Sequence, residues 1–280
     1  MAIDFHCNFF TPEAFKKYWI EQEEMYRVVK WWNQEDRFKG HTPEAFVAMM
    51  DDAGLDKALI PAIRMMSYQT KKMVWDIPEE EVAEAVSRAP GRLYGLCGFN
   101  PLEKLEGVRR VERAVRNFGF KGVYIHTYGF GIHLNDRLYY PLYAKCVDLG
   151  IPVSMQVGHS AERMPNELGR PMDLDAIALD FPELQIIGAH TGWPWTEEMI
   201  ALAWKHENVY LGIDAHHPKY LEASLVHFMR TRGQNKVIYG TNYPAIQHKD
   251  SINVITNNLG LSETVAQKIL HDNAARVYKL

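Results

Sequence analysis

The chain has 280 residues, of which 47% are hydrophobic and 24% are charged. It therefore has enough apolar side chains for a sizeable core and is not a disordered, collagen-like or disulfide-scaffold protein. Its 31 Lys and Arg against 35 Asp and Glu give a formal net charge of -4, which implies no general attraction to nucleic acid or to a membrane surface. We expect a small molecule or another protein as its partner.

The start of the chain and its cysteines indicate the compartment. The N-terminal residues lack a basic segment followed by an apolar one, and no apolar run approaches the roughly 20 residues that span a bilayer. Cys7, Cys97 and Cys146 are widely separated and have no CxxC spacing, which suits a reducing compartment and gives no thiolate metal site. We therefore expect a cytoplasmic protein.

Short β-rich runs recur along the chain. There are eight of them, at 2–5, 57–63, 93–99, 122–126, 152–157, 184–190, 209–214 and 236–241. Amphipathic helical stretches separate them, and from the third run onwards they start roughly 25–35 residues apart, the length of one βα unit. A doubly wound sheet would need a Gly-rich phosphate turn after an early strand, and the chain has none. The pattern predicts an α/β protein with one (β/α)8 TIM barrel over residues 1–280.

The first interval breaks this period. Residues 9–41 are charged and rich in aromatic side chains, namely Tyr18, Trp19, Tyr26, Trp31, Trp32 and Phe38. An insertion after the first strand would lie over the barrel mouth, where it could act as a lid or contribute to an oligomer interface. The alternative is a helical decoration that packs on its own barrel.

Polar side chains collect where the predicted strands end, and the C-terminal ends of barrel strands are where catalysis normally occurs. His6 and Asn8 share one face of the first strand because strand side chains alternate. Later strand ends supply His126, Gln156, His159, His190, Asp214 and Asn242. One such histidine is usually a packing residue, but several on one rim favour a metal site of neutral imidazoles with an open position.

Six segments spread over nearly the whole chain carry a family resemblance. They are Ile3-Asp4-Phe5-His6-Cys7-Asn8, Gly122-Val123-Tyr124-Ile125-His126, Gly158-His159-Ser160, Gly188-Ala189-His190-Thr191-Gly192, Tyr239-Gly240-Thr241-Asn242-Tyr243-Pro244 and Asp272-Asn273-Ala274-Ala275-Arg276-Val277-Tyr278. Together they resemble the amidohydrolase superfamily, specifically its amidohydrolase-2 branch. That branch is related to aromatic-acid and carboxymuconate-type decarboxylases and to lactone hydrolases.

The resemblance implies that His6, His159 and His190 bind the metal. Asn8 stands where the family has a second strand-one histidine, and Asn242 stands where it has an aspartate. An asparagine has neither the charge nor the basicity of aspartate, and its carbonyl oxygen is a poor ligand for a zinc-type ion. We therefore expect one weakly held divalent metal, most simply Zn, with Mn or Fe as alternatives. Asn8, Asp214 and Asn242 would bind it directly or orient the residues that do.

Other residues are candidates for the substrate pocket. His126 and Gln156 end the fourth and fifth strands, and Trp193 would form an apolar wall beside His190. Arg64, just past the second strand, could meet a substrate carboxylate.

Two functions fit these features. The first is a metal-dependent hydrolase or non-oxidative decarboxylase for a small metabolite with a carboxylate or carbonyl group, in which His190 is a third ligand or the catalytic acid/base. The alternative is a degenerate, non-catalytic or structural-metal subunit that pairs with an intact homologous barrel. The resulting hetero-oligomeric enzyme could be an iron oxygenase. In both cases we expect a homo- or hetero-oligomer.

Overall fold

Ten strands form the framework of the computed structural model, which describes residues 1–280. They are β1 (Ala2–Asp4), β2 (Leu55–Ala62), β3 (Arg64–Met66), β4 (Met73–Asp76), β5 (Leu93–Gly98), β6 (Val123–Ile125), β7 (Val153–Gln156), β8 (Ile186–Ala189), β9 (Val209–Gly212) and β10 (Val237–Ile238). Eight of them form one parallel sheet in the order β1-β2-β5-β6-β7-β8-β9-β10. Each predicted strand overlaps one of these eight.

Backbone hydrogen bonds join the two edges of this sheet. The Phe5 amide donates to the Tyr239 carbonyl at 3.2 Å, and the Asn242 amide donates to the His6 carbonyl at 2.8 Å. These contacts close the sheet into a barrel, which leaves no free edge. The predicted TIM barrel is therefore confirmed.

Helices follow most of the strands. They are α1 (Pro12–Phe15), α2 (Glu23–Trp31), α3 (Pro43–Ala53), α4 (Glu79–Ser87), α5 (Leu105–Phe118), α6 (Tyr140–Leu149), α7 (Asp173–Asp180), α8 (Thr196–Lys205), α9 (Ala223–Arg230), α10 (His248–Asn257), α11 (Glu263–Gln267) and α12 (Asn273–Tyr278). In α3 the Thr42 hydroxyl accepts from the Ala45 amide, and Gly54 ends the helix in the left-handed conformation. None of the helices combines the length and apolar character needed to cross a membrane.

A β-hairpin that the sequence did not predict follows β2. Strands β3 and β4 are antiparallel, with Met65 opposite Trp75. Only Ile63 separates β2 from β3, and no Gly or Asn marks a turn between them. The hairpin carries Trp75 to the barrel mouth, where its indole N–H donates to the Tyr18 carbonyl.

The segment 9–41 packs on its own barrel and also reaches over the mouth. Phe15, Tyr18 and Trp19 are buried in the core. Arg27 Nη2 in α2 donates to the carbonyl of Ala161 at 2.8 Å, which ties the segment to the loop after β7. The segment therefore combines features of both interpretations, the decoration and the lid.

Candidate functional site

A cavity of about 360 Å³ lies at the C-terminal ends of the barrel strands. Its polar lining includes His6, Asn8, His126, Gln156, His159, Glu162, His190, His216, His217 and Asn242. Four indoles also line it, from Trp19, Trp31, Trp32 and Trp75. The topology thus brings most of the residues predicted for the site into one cavity.

A buried carboxylate lies between two of the histidines. Asp214 Oδ2 accepts a hydrogen bond from His6 Nδ1 at 2.6 Å and is 2.8 Å from His190 Nδ1, although His190 lacks the alignment of a hydrogen bond. Asp214 Oδ1 accepts from the His190 backbone amide at 2.8 Å. The three side chains offer ligand atoms within 4.8 Å of one another, a spacing that suits a metal ion.

The charges in this group follow from its burial. Burial opposes ionisation of Asp214, but His190 and His6 outweigh it and hold the carboxyl pKa far below its usual value. Burial lowers the pKa of His6 by more than Asp214 raises it, so this imidazole is neutral at pH 7. The ionised Asp214 fixes the proton of His6 on Nδ1 and leaves the lone pair on Nε2.

His6 Nε2 is buried and has no hydrogen-bond partner in the protein. Such an orphaned acceptor is costly unless a ligand occupies it. A neutral imidazole with a carboxylate behind its other nitrogen is the usual arrangement of a metal-binding histidine. His6, oriented by Asp214, therefore fits the role of a ligand to a divalent cation.

His159 approaches the cavity from the loop after β7. Its Nδ1 is 3.2 Å from Asn166 Nδ2, and its ring packs edge-on against Trp193 at 5.4 Å between centroids. Burial lowers its pKa, so it too is a neutral imidazole at pH 7. It lines the cavity with His6 and His190. It does not belong to the group of side chains whose ligand atoms lie within 4.8 Å of one another.

Strained backbone is concentrated at this rim. The non-glycine residues His190, Thr191, Ala215 and Asn242 have φ of 68°, 57°, 63° and 56°. Positive φ in a residue with a Cβ costs energy and persists only where surrounding contacts hold it. The bond from the His190 amide to Asp214 is one such contact. Part of the folding energy thus maintains the geometry of the candidate site.

Glu162 is a site residue that the sequence did not indicate. Its Oε2 accepts from Ser160 Oγ at 2.5 Å and is 3.9 Å from His126 Nε2. Burial opposes its ionisation, but His126 and Ser160 outweigh burial and hold its pKa at about 2. Both ring nitrogens of His126 are buried without a partner. A single glutamate in a polar loop has no spacing signal, which is why it was missed.

Two predicted pocket residues lie outside the cavity lining. Arg64 is a buried residue at the start of β3, where Nη2 pairs with Glu79 at 2.8 Å and another guanidinium nitrogen contacts Asp76. Its charge is thus matched inside the protein and is not offered to a substrate. Trp193 is 43% exposed and packs edge-on against His159, but it is not among the cavity lining. The indoles that line the cavity come instead from the segment 9–41 and the hairpin.

A second cluster holds β1 against β10. Asp4 Oδ1 accepts from the amides of His6 at 2.9 Å and Thr241 at 3.1 Å, and Oδ2 is 2.9 Å from His248 Nε2. Cys7 is close enough to form a metal-spaced group with Asp4 and His248. However, burial raises the pKa of the Cys7 thiol, and the carboxylate is already saturated with hydrogen bonds. We interpret this cluster as a structural anchor for His6.

Solved structures with the same fold cover nearly all of the chain. An uncharacterised TIM-barrel protein from Bordetella bronchiseptica is 23% identical with a TM-score of 0.80, covering 99% of this chain and 97% of that one. Manganese-bound 5-carboxyvanillate decarboxylase from Novosphingobium aromaticivorans is 19% identical with a TM-score of 0.73, covering 100% and 97%. Manganese-bound dihydroxybenzoic acid decarboxylase from Polaromonas sp. JS666 is 17% identical with a TM-score of 0.70, covering 100% and 96%.

At these identities the likeness shows the fold, and the family follows from the sequence itself. A model of the amidohydrolase family matches residues 3–280. This match agrees with the strand-end motifs and confirms the resemblance drawn from them. The chain belongs to the amidohydrolase family.

Proposed function

We propose that the protein is a metal-dependent hydrolase or non-oxidative decarboxylase for a small metabolite that carries a carboxylate or carbonyl group. The observation that carries this proposal is the orphaned His6 Nε2, whose ring is oriented by Asp214 through Nδ1. Membership of the amidohydrolase family supports metal-dependent chemistry. The decarboxylases of similar fold support the lyase form of the reaction.

His6 and His190 would hold the ion, with His159 as the third imidazole from the β7 side. A divalent ion bound there would act as a Lewis acid on the substrate carbonyl or carboxylate and lower the pKa of a coordinated water. Asp214 would orient the imidazoles or bind directly. Zn is the expectation from the donor set, and the manganese bound in two structures of similar fold makes Mn an equal candidate.

His190 has a second possible role, as the acid/base instead of a metal ligand. Its Nδ1 is 2.8 Å from Asp214 Oδ2. If His6 and His159 alone held the ion, the other ring nitrogen of His190 would be free to exchange a proton with a substrate in the cavity. Trp19, Trp32 and Trp75 line the cavity and would exclude water around the transfer.

Metal content tests this proposal directly. Protein expressed with added Zn, Mn or Fe is purified and analysed by mass spectrometry, and we expect about one equivalent of one metal per chain. His6→Asn and His190→Asn should lower that content, whereas His227→Asn, on the exposed face of α9, should not. Less than about a tenth of an equivalent in the wild type would rule the proposal out. Carbon dioxide release and lactone hydrolysis over a panel of small acids would then separate the two reactions.

A second candidate function is the non-catalytic subunit of a hetero-oligomer. It is favoured by the hydrogen bond between Asn8 and Asn242, because position 8 lacks the imidazole ligand and position 242 lacks the negative charge that the family motif places there. In this case the chain would bind little metal and form a stable complex with an intact homologous barrel. The complete enzyme could then be an iron oxygenase. Co-expression with a homologue that has His-x-His and Asp at these positions, followed by sedimentation, tests it. A clean monomer in that experiment would exclude it.

A further inference from the structure

The cavity has an unusual charge composition for a pocket that is to receive an organic acid. No Lys or Arg is among its 21 lining residues. Arg27 lies nearby but is outside the lining and donates to the Ala161 carbonyl. Glu162 is the one carboxylate among these lining residues and lies on the β6–β7 side of the cavity.

The groups around Glu162 mostly accept hydrogen bonds. The Glu162 side chain is 10% exposed, and Ser160 is its one hydroxyl donor. Both nitrogens of His126 are buried without a partner in the protein, and an imidazole nitrogen can accept a hydrogen bond from a ligand N–H. Gln156 Oε1, already bonded by Tyr124, also faces this side. A ligand group with several N–H donors would satisfy these atoms, whereas a carboxylate would meet the charge of Glu162.

Indole rings form the adjoining wall. Trp19 packs against Trp75 at 4.8 Å and against Trp32 at 6.5 Å between ring centroids. Trp31, 66% exposed, continues the wall at the rim, but the Arg27 guanidinium already lies over its ring at 6.0 Å from the centroid, so the wall offered to a ligand consists of Trp19, Trp32 and Trp75. Indole faces attract cations through their electron-rich π-systems. The wall and Glu162 thus favour the same kind of ligand group, one that carries positive charge.

We propose that the β6–β7 side of the cavity binds a primary ammonium group, so that the substrate is an amine-bearing metabolite. This inference rests on the proposed function only in taking the cavity as the substrate site. The ammonium pairs with Glu162, donates to His126 and lies against the indole wall. Substrate carboxylate or carbonyl groups then face His6 and His190 on the other side.

Calorimetric titration of three matched probes tests this at pH 7: benzylamine, benzyl alcohol and benzoate, which share a ring and differ in charge. Chelator-treated wild-type protein should bind benzylamine at least about tenfold tighter than benzyl alcohol, because a charge-assisted pair replaces a neutral one. Glu162→Gln should reduce that preference to about threefold or less. Glu167→Gln is the control, since this exposed residue of the same loop faces Arg170.

A second variant keeps the test independent of the folding of Glu162→Gln. Trp32→Leu alters a half-buried indole of the wall and should lower the preference for benzylamine about threefold. Trp204→Leu, with an indole 62% exposed outside the cavity, should not. Equal binding of amine and alcohol, no binding of benzylamine up to about 10 mM, or an unchanged preference in Glu162→Gln would overturn the proposal.

Repeating the titrations with manganese-loaded protein separates this inference from the proposed function. An amine preference in protein that binds no metal would support the ammonium site while the metal proposal fails. Normal metal binding without an amine preference would overturn the ammonium site alone.

Discussion

The side-chain amide of Asn8 donates a hydrogen bond to Asn242 Oδ1 at 2.6 Å. The same nitrogen also donates to the Tyr243 carbonyl at 2.9 Å. The two residues that stand where the amidohydrolase motif has a histidine and an aspartate are thus bonded to each other across the β1–β10 closure. The carboxylate that contacts His6 is instead Asp214, beyond the end of β9.

Restoring the acid at position 242 should strengthen metal binding. Asn242→Asp places a carboxylate where Asn8 can still donate to it, and it adds negative charge beside the imidazoles. We expect divalent-ion affinity to rise about tenfold or more. Competition titration against a chelating dye, with Mn and Zn, measures the change. Asn117→Asp, an exposed residue of α5, adds the same charge away from the cavity and should leave the titration unaltered. If both variants titrate like the wild type, Asn242 is not at the metal site.

Removing the charge of Asp214 should affect both metal binding and stability. Asp214→Asn leaves two buried imidazoles without their anion, so metal affinity should fall about 10- to 100-fold. The free energy of unfolding should drop by about 2 kcal/mol, because the buried N–H of His6 loses its charged acceptor. Urea denaturation and dye competition measure the two effects. Asp148→Asn, at the exposed end of α6, is the matched control. Full metal affinity in Asp214→Asn would show that Asp214 does not orient the ligands.

The link between α2 and the loop after β7 should control the order of that loop. Arg27 donates to the Ala161 carbonyl, and Glu24 Oε1 accepts from the Arg163 amide at 2.9 Å. Arg27→Gln should therefore increase amide hydrogen exchange over residues 159–166 several-fold. Mass-spectrometric exchange measures this, with Arg109→Gln on exposed α5 as the control. Unchanged exchange would mean that the segment 9–41 only decorates the barrel and does not order the site.

Stability should decrease in acid partly through Glu162. Its pKa is lowered to about 2 from an ordinary value near 4.5, so its contribution is complete above about pH 4.5 and is lost as the pH falls towards 2. Integrated from pH 7 to pH 3, this loss is roughly 2 kcal/mol. In urea denaturation, the free energy of unfolding of Glu162→Gln should therefore fall by roughly 2 kcal/mol less than that of the wild type between pH 7 and pH 3. Equal losses in the two proteins would place the acid sensitivity at other carboxylates, with Asp214 the first to examine.

Most of the architecture could be predicted from the order of residues along the chain. Apolar runs of strand length, spaced by helical stretches, require a parallel sheet, and eight such units close into a barrel. The strand-end position of His6, His190 and Asp214 follows from the same topology, because the carboxyl ends of parallel strands share one rim. The hairpin β3–β4 was missed because β2 and β3 are nearly continuous in sequence.

Sequence periodicity thus determined the barrel, its rim and the residues that face it. Tertiary structure alone decided which of those side chains contact one another. Asp214 pairs with His6 across 208 positions, Glu162 approaches His126 from a loop, and Arg64 is neutralised inside the protein. The reason is physical: strand direction follows from local pattern, but hydrogen bonds and ion pairs depend on ångström-scale placement of loops and rotamers, which no spacing along the chain encodes.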